Sequence, residues 1–256
     1  MDTCKSIAPN AVWAHKRFTL AELAIWPTVV YFYTLAVLHI GGGDEWIVSA
    51  FYDPQRHVFP LKHNFWTQTV MHDGGHELML VVGIVLLAVL AAAMRIQRWR
   101  HLRRPLTFIV LSMAACVITI NLGKQVTNMD CPWDLTEFGG QRVHYSLLQD
   151  KPDDAPRGHC FPGGHSSSGF ALFALFFVAR CYGYRRPSIA LLPAFAIGGS
   201  FALDQWARGA HFPSHDITTA YICWMIALTA YWRLYSRAPQ PVSPVKKELG
   251  ELDDYQ

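Results

Sequence analysis

The sequence predicts an all-α, polytopic membrane protein, with six transmembrane helices in one bundle and its polar loops gathered at the external face. Three observations predict it. Of 256 residues, 52% are hydrophobic and only 16% charged, against roughly 25% charged in an average soluble domain. Six apolar stretches approach the about 20 residues that a bilayer-spanning helix needs. Lys and Arg gather in alternate connections between those stretches, as the positive-inside bias requires. With 9 Trp and 15 Phe, the composition also excludes a disordered chain. The net charge of +3 supplies no basic stripe for a nucleic acid, because the basic residues sit between apolar runs.

The stretches run in order. Leu20–Ile40 follows Lys16-Arg17, as the apolar core of a signal peptide would. It is too long for that, contains Glu22 and lacks a clear small-residue cleavage site, so it is expected to be retained. Glu22 lies near enough to the helix end to snorkel. His76–Met94 is the second stretch. Leu106–Leu122, Ser168–Tyr184 and Ser188–Leu203 are short and span only with their flanks; the last has two Gly and two Pro in or beside it. Ile217–Leu234 is the sixth. The charged, Pro-containing tail Ala238–Gln256 reads as disordered, which leaves residues 1–237 as one membrane domain.

Orientation follows from the basic residues. With the N-terminus inside, 15 of the 22 Lys and Arg fall in cytoplasmic segments, five of them between Arg95 and Arg104. Only Arg56, Lys62, Lys124, Arg142, Lys151, Arg157 and Arg208 fall outside. Both termini are therefore expected in the cytoplasm of a bacterium, with the inner membrane as the host bilayer. The external connections are Gly41–Gly75, Gly123–Gly164 and a short one around Arg208–His215. Cys4 and Cys181 map to the cytoplasmic side, and Cys116 and Cys223 to the spans. Cys131 and Cys160 share one external loop, where an oxidising periplasm would let them bridge and contribute about 3–4 kcal/mol. Two unpaired thiols stay open, because sequence carries no distance.

Chemistry is expected where polar residues crowd against the outer face. One loop runs Gly-Lys124 through Asn-Met-Asp-Cys131-Pro132 to Cys160-Phe-Pro162-Gly163-Gly164-His165-Ser166 and enters the fourth span. Another reads Arg208-Gly-Ala-His211-Phe-Pro213-Ser214-His215-Asp216 and enters the sixth. Each puts His, Ser and Gly at a helix N-terminus, where unsatisfied N–H groups and a partial positive charge favour anions. Lys124 and Arg208 add full charges. The combination describes a phosphate site.

These segments resemble the type 2 phosphatidic acid phosphatase superfamily, whose motifs run K-x6-R-P, P-S-G-H and S-R-x5-H-x3-D. Lys124 and Pro132 match the first motif, with Cys131 in place of its Arg. Pro162, Gly164 and His165 match the second, with Gly163 in place of Ser. His211 matches the His of the third. Gln205 stands at the expected Arg position, Arg208 three residues before His211, and His215 and Asp216 compete for the place of the final Asp. The third motif is thus divergent.

The resemblance implies a metal-independent lipid phosphatase with no cofactor. His211 would attack phosphorus and carry a phosphohistidine, and Asp216, or else His215, would orient its ring. His165 would protonate the leaving oxygen and then activate water. Lys124, Arg208 and the backbone around Gly163, Gly164 and Ser166 would hold the phosphoryl oxygens. Arg157 is a candidate to replace the absent first-motif Arg, with a solvated loop residue as the plainer reading. The partners implied are the bilayer and a lipid phosphate: a prenyl diphosphate, phosphatidylglycerophosphate, phosphatidate or a lipid A phosphate. Transfer of the phosphoryl group to a lipid acceptor competes with hydrolysis. A non-enzymatic phospholipid-binding, or metal- or haem-binding, membrane protein is the reading from another class. A second cluster, His72-Asp73-Gly-Gly-His76-Glu77, has the i, i+4 spacing of metal ligands. Its two Gly weaken a helix between the histidines, so interfacial solvation or lining of a headgroup path competes with metal binding there.

Overall fold

The computed structural model describes residues 19–145 and 149–236, and over them the chain is helical without a strand. The expected tail Ala238–Gln256 and the residues ahead of Thr19 lie outside that description. The helices are α1 Leu20–His39, α2 Gly43–Ser49, α3 Gly75–Arg95, α4 Arg103–Thr127, α5 His165–Phe170, α6 Ala174–Cys181, α7 Leu192–Ala207 and α8 Pro213–Tyr231. One turn of 3-10 helix, Ala171–Phe173, joins α5 to α6. A wider π-helical turn, Phe65–Gly74, leads into α3.

Four helical stretches are long and apolar enough to cross a membrane: Ala21–His39, Phe65–Arg95, Gln97–Asp134 and Pro187–Ala207. His165–Cys181 is apolar but shorter. α8 is helical through the expected sixth stretch, and its first turns carry His215, Asp216, Thr218 and Thr219, all buried. The apolar side chains face outward to a degree no soluble fold tolerates: Trp26, Val30, Phe32, Leu80, Val81, Ile84 and Leu122 are all more than half exposed. Such a surface belongs in lipid.

The helix ends follow from their residues. Thr19 and Glu22 form a reciprocal capping box, Thr19 Oγ1 accepting from Glu22 N at 3.2 Å and Glu22 Oε2 accepting from Thr19 N at 2.7 Å. Glu22 is thus a cap rather than an unexplained acid inside a span. At the far end of α3, Arg103 donates to the carbonyls of Ala93 and Met94 at 2.7 and 3.2 Å, the cation that a helix C-terminus favours.

Two departures from the sequence reading concern the connection Gly41–Gly75. It is not an open loop, since it holds α2 and the π-helical turn. The Gly74-Gly75 pair does not break the helix either. An added Cβ on Gly75 would lie 2.6 Å from the ring of Phe201, so this glycine admits an aromatic ring from α7. Helix propensity costs about 1 kcal/mol there, less than a fully buried aromatic contact contributes.

Packing then positions the site. α1 lies on α8, with the Tyr31 and Tyr221 rings stacked 4.2 Å apart and Trp224 donating to Leu23 O at 2.8 Å. α5 and α7 meet through Gly169 and Gly198, where a Cβ on Gly169 would lie 2.5 Å from the Gly198 Cα. The core runs through Phe170, Phe173, Phe201 and Cys223, then Phe108, Phe176, Phe177 and Leu228. A separate cluster of Val48, Phe59, Leu135, Phe138 and Phe212 sits under the polar loops and clamps the residue after His211.

Candidate active site

The segment before α5 is strapped between two helices. Asn128 takes a left-handed conformation, φ 52°, and ends α4. Beyond it Asp130 binds Arg142 at 2.5 Å and Lys151 at 2.6 Å. Cys160 N donates to Met129 O at 3.0 Å, and Cys131 and Cys160 stand with Cα atoms 5.2 Å apart, within the span of a disulfide. The chain then crosses to α8. Gly163 N donates to His215 O at 3.1 Å, and Thr219 Oγ1 donates to Gly163 O at 2.8 Å.

The segment before α8 turns on Gly209, φ 72°, whose added Cβ would strike the Phe59 ring. His211 follows, then Phe212 in extended conformation, and α8 begins at Pro213. Asp216 therefore sits in the first turn, and its Oδ1 and Oδ2 lie 3.2 and 3.3 Å from His211 Nδ1. Ser166 Oγ donates to Oδ1 at 2.5 Å, and Trp206 Nε1 donates to Oδ2 at 2.8 Å. The carboxylate is fixed on both oxygens. Ser166, expected near phosphate, uses its hydroxyl to hold Asp216.

His215 is elsewhere. Its ring is fully buried, edge-on to Phe161 and Phe212, and neither nitrogen makes a hydrogen bond. Burial pushes its pKa well below the ordinary histidine range. It is a neutral packing residue whose carbonyl carries Gly163.

Lys124, His165 and His211 line one cavity of about 740 Å³, together with Gly164, His72, His76 and Gln205. Lys124 lies against Gly164, where an added Cβ would sit 3.1 Å from Nζ. His165 Nε2 donates to Met71 O at 3.4 Å, and its ring packs on Phe201 and His72. Burial first, and then the charge of neighbouring His72, pull its pKa down to about 4, so it is neutral at pH 7. From this polar end the cavity continues between α3 and α4 past Met79, Leu80, Ile84, Leu87, Val110, Met113 and Val117. Fourteen residues separate Val110 from Lys124, which is about 21 Å of helix.

Four expected phosphate ligands, Gly163, Ser166, Arg208 and Arg157, are not among the lining residues. Arg208 is buried, donates to Lys62 O at 3.3 Å and to Gln68 Oε1, and lies 3.7 Å from Asp204. Arg157 donates to Gln125 O at 2.5 Å on the exposed loop. Gln205 takes the wall position instead, at the place where the motif has Arg. In the sequence His72 and His76 form a separate cluster. What joins them to the site is the π-helical turn, which no local pattern announces.

The PAP2 superfamily profile matches residues 105–238, more than half of the chain and all of the segments just described from Lys124 to Asp216. No curated protein and no solved structure matches. On that match the chain belongs to the PAP2 superfamily, whose members are generally phosphatases acting on phosphate esters.

Proposed function

We propose that this protein is a membrane lipid phosphatase working through a phosphohistidine. The observation that carries the reading is the cavity, which has His211, His165 and Lys124 at one end and a long apolar groove at the other. A phosphate head joined to a hydrocarbon tail has that shape and polarity.

The geometry favours one division of labour. With Nδ1 facing Asp216, His211 presents Nε2 to phosphorus, and attack forms a P–N bond while the ester P–O bond breaks. Asp216 fixes the tautomer and stabilises the imidazolium that develops. His165 gives the leaving oxygen its proton, and then takes one from the water that releases phosphate. Its low pKa suits the second step; the charge of a bound phosphate favours the protonated form for the first. Lys124 and the backbone at Gly164 and Ser166 hold the oxygens, whereas the Gly163 N–H, expected among them, is already given to His215 O. Arg208 would join them only by exchanging its contacts to Lys62 and Gln68.

We place the site at the external face of a bacterial inner membrane, in a six-span chain with cytoplasmic termini. The arginine-rich connection and Lys124 lie at opposite ends of α4, a helix of 25 residues and so about 37 Å long. That separation suits a bilayer between them.

The test is purified protein given prenyl, glycerophospholipid and lipid A phosphates, with free phosphate and phosphorylated acceptor both measured and the phosphoenzyme trapped by acid-free quench. Free phosphate with an alkali-stable, acid-labile phosphoenzyme is the expected outcome. A phosphorylated lipid acceptor in its place would mark a phosphotransferase. Neither product from any of the lipids would refute the enzymatic reading.

A further inference from the structure

The cavity holds four histidines and, among the described lining residues, Lys124 as its one permanent cation. His72 and His76 come from the helical stretch ahead of the family match at 105–238. His72 is stacked on His165, centroids 4.7 Å apart and planes 11° apart. Its Nδ1 lies 2.9 Å from Asp73 Oδ1. Gln68 Nε2 donates to the same carboxylate at 3.1 and 3.2 Å, and Gln68 Oε1 accepts from Arg208. Arg208, off the cavity wall, thus holds Gln68, which holds Asp73, which sets the His72 ring with Nε2 turned away from the carboxylate.

Position along α3 gives the order. His72 and His76 come first, and the wall turns apolar at Met79 and Leu80. A lipid with its reacting phosphorus at His211 therefore passes His165, then this histidine pair, then hydrocarbon. In a prenyl monophosphate the atoms after the leaving oxygen are hydrocarbon, and in a glycerophospholipid or lipid A they are a glycerol or sugar whose nearest oxygens are neutral, so neither puts a charge beside the pair. In a diphosphate they are a second phosphate, with two non-bridging oxygens and a negative charge that favours doubly protonated imidazoles as donors.

We propose that His72 and His76 form a subsite for the second phosphate of a lipid diphosphate, positioned by Arg208 through Gln68 and Asp73. This rests on the phosphatase reading and narrows its substrate. His211 Nε2 attacks the terminal phosphorus, and the bond to the bridging oxygen breaks. The lipid monophosphate departs with the electron pair and the proton of His165. Water deprotonated by His165 then cleaves the P–N bond, giving inorganic phosphate and free His211.

The experiment compares farnesyl diphosphate with farnesyl monophosphate on the full-length protein in detergent. Wild-type kcat/KM should favour the diphosphate, and His72→Gln or His76→Gln should cut that preference about tenfold, the worth of one charge-assisted hydrogen bond. A ratio taken within one preparation does not depend on how much of the protein is folded. An unchanged ratio would overturn the subsite and leave the phosphatase reading standing; no phosphate from either substrate with wild type would overturn both. Should a variant be dead on both, methylenediphosphonate on the wild type decides. It should inhibit about tenfold more strongly than inorganic phosphate, and equal inhibition overturns the subsite.

Discussion

A side chain on Gly163 would occupy the place of the Asp216 carboxylate: an added Cβ overlaps Oδ1 and lies 2.8 Å from Cγ and 3.1 Å from His211 Nδ1. The glycine at the second motif's serine position and the acid one residue past the third motif's place thus fit together: a side chain at 163 and the Asp216 carboxylate exclude each other. Gly163→Ser, which restores the family residue, should lower kcat on the order of 10²-fold or more, because it pushes the orienting carboxylate off His211. Asp216→Asn should do the same with substrate binding intact, and the double variant should be no worse than either single one. Steady-state phosphate release on all three would show whether the effects couple or add.

His211→Ala should abolish turnover and the trapped phosphoenzyme together, since no neighbour can replace a covalent acceptor in that geometry. His215→Ala should cost stability, about 2–4 kcal/mol for emptying a buried site, and less activity per folded molecule than His211→Ala or Asp216→Asn. Radiolabel retained on His211→Ala would move the nucleophile elsewhere.

His165→Ala should slow lipid substrates about 10²–10⁴-fold and slow a nitrophenyl phosphate less, because a better leaving group needs no proton. The same residue gives a pH signature. Its folded pKa, about 4, lies below the ordinary 6.5, so the unfolded chain binds more protons between those values. Stability without ligand should fall as pH drops from about 6.5 to 4, with buried His215 acting in the same direction. Thermal unfolding in detergent across that window, flatter for His165→Asn, checks it.

Gly164→Ala should raise KM with little loss of stability. Its Cβ would meet the flexible end of Lys124, with Cε at 2.8 Å and Nζ at 3.1 Å, so the ammonium moves and the backbone does not. Lys124→Ala should be worse in both KM and kcat, by about 10²-fold in kcat/KM, as expected for a charge that tightens on the transition state.

Reduction, or Cys131→Ser, should destabilise the protein by about 3–4 kcal/mol, the loop-closure value for a loop of 29-residue separation. Melting with and without reductant measures it. A wild type indifferent to reductant would mean that Asp130, with Arg142 and Lys151, holds this loop alone.

What short-range rules encode is legible in the chain without its fold. Hydropathy over about 20 residues marks an apolar helix wherever it packs, so α1, α3 and α4 were legible, and Arg95–Arg104 marked one end of the fold. Lys124, His165 and His211 were legible from motif spacing, and all three line one cavity. Tertiary structure alone decided which residues keep them company. Asp216 and His215 are adjacent in sequence, but side chains on successive helical residues point about 100° apart, so one faces His211 and the other is sealed between Phe161 and Phe212. Arg208 stands beside His211 in the sequence, yet its guanidinium donates to Gln68 and Lys62, 140 and 146 residues away, and faces Asp204 at 3.7 Å. His72 looked like interfacial solvation until the helix ran through Gly74-Gly75 and laid it on His165, 93 positions further along the chain. Which face of a helix meets which distant segment is fixed by packing, where the space left by Gly75 for Phe201 counts for more than any local propensity.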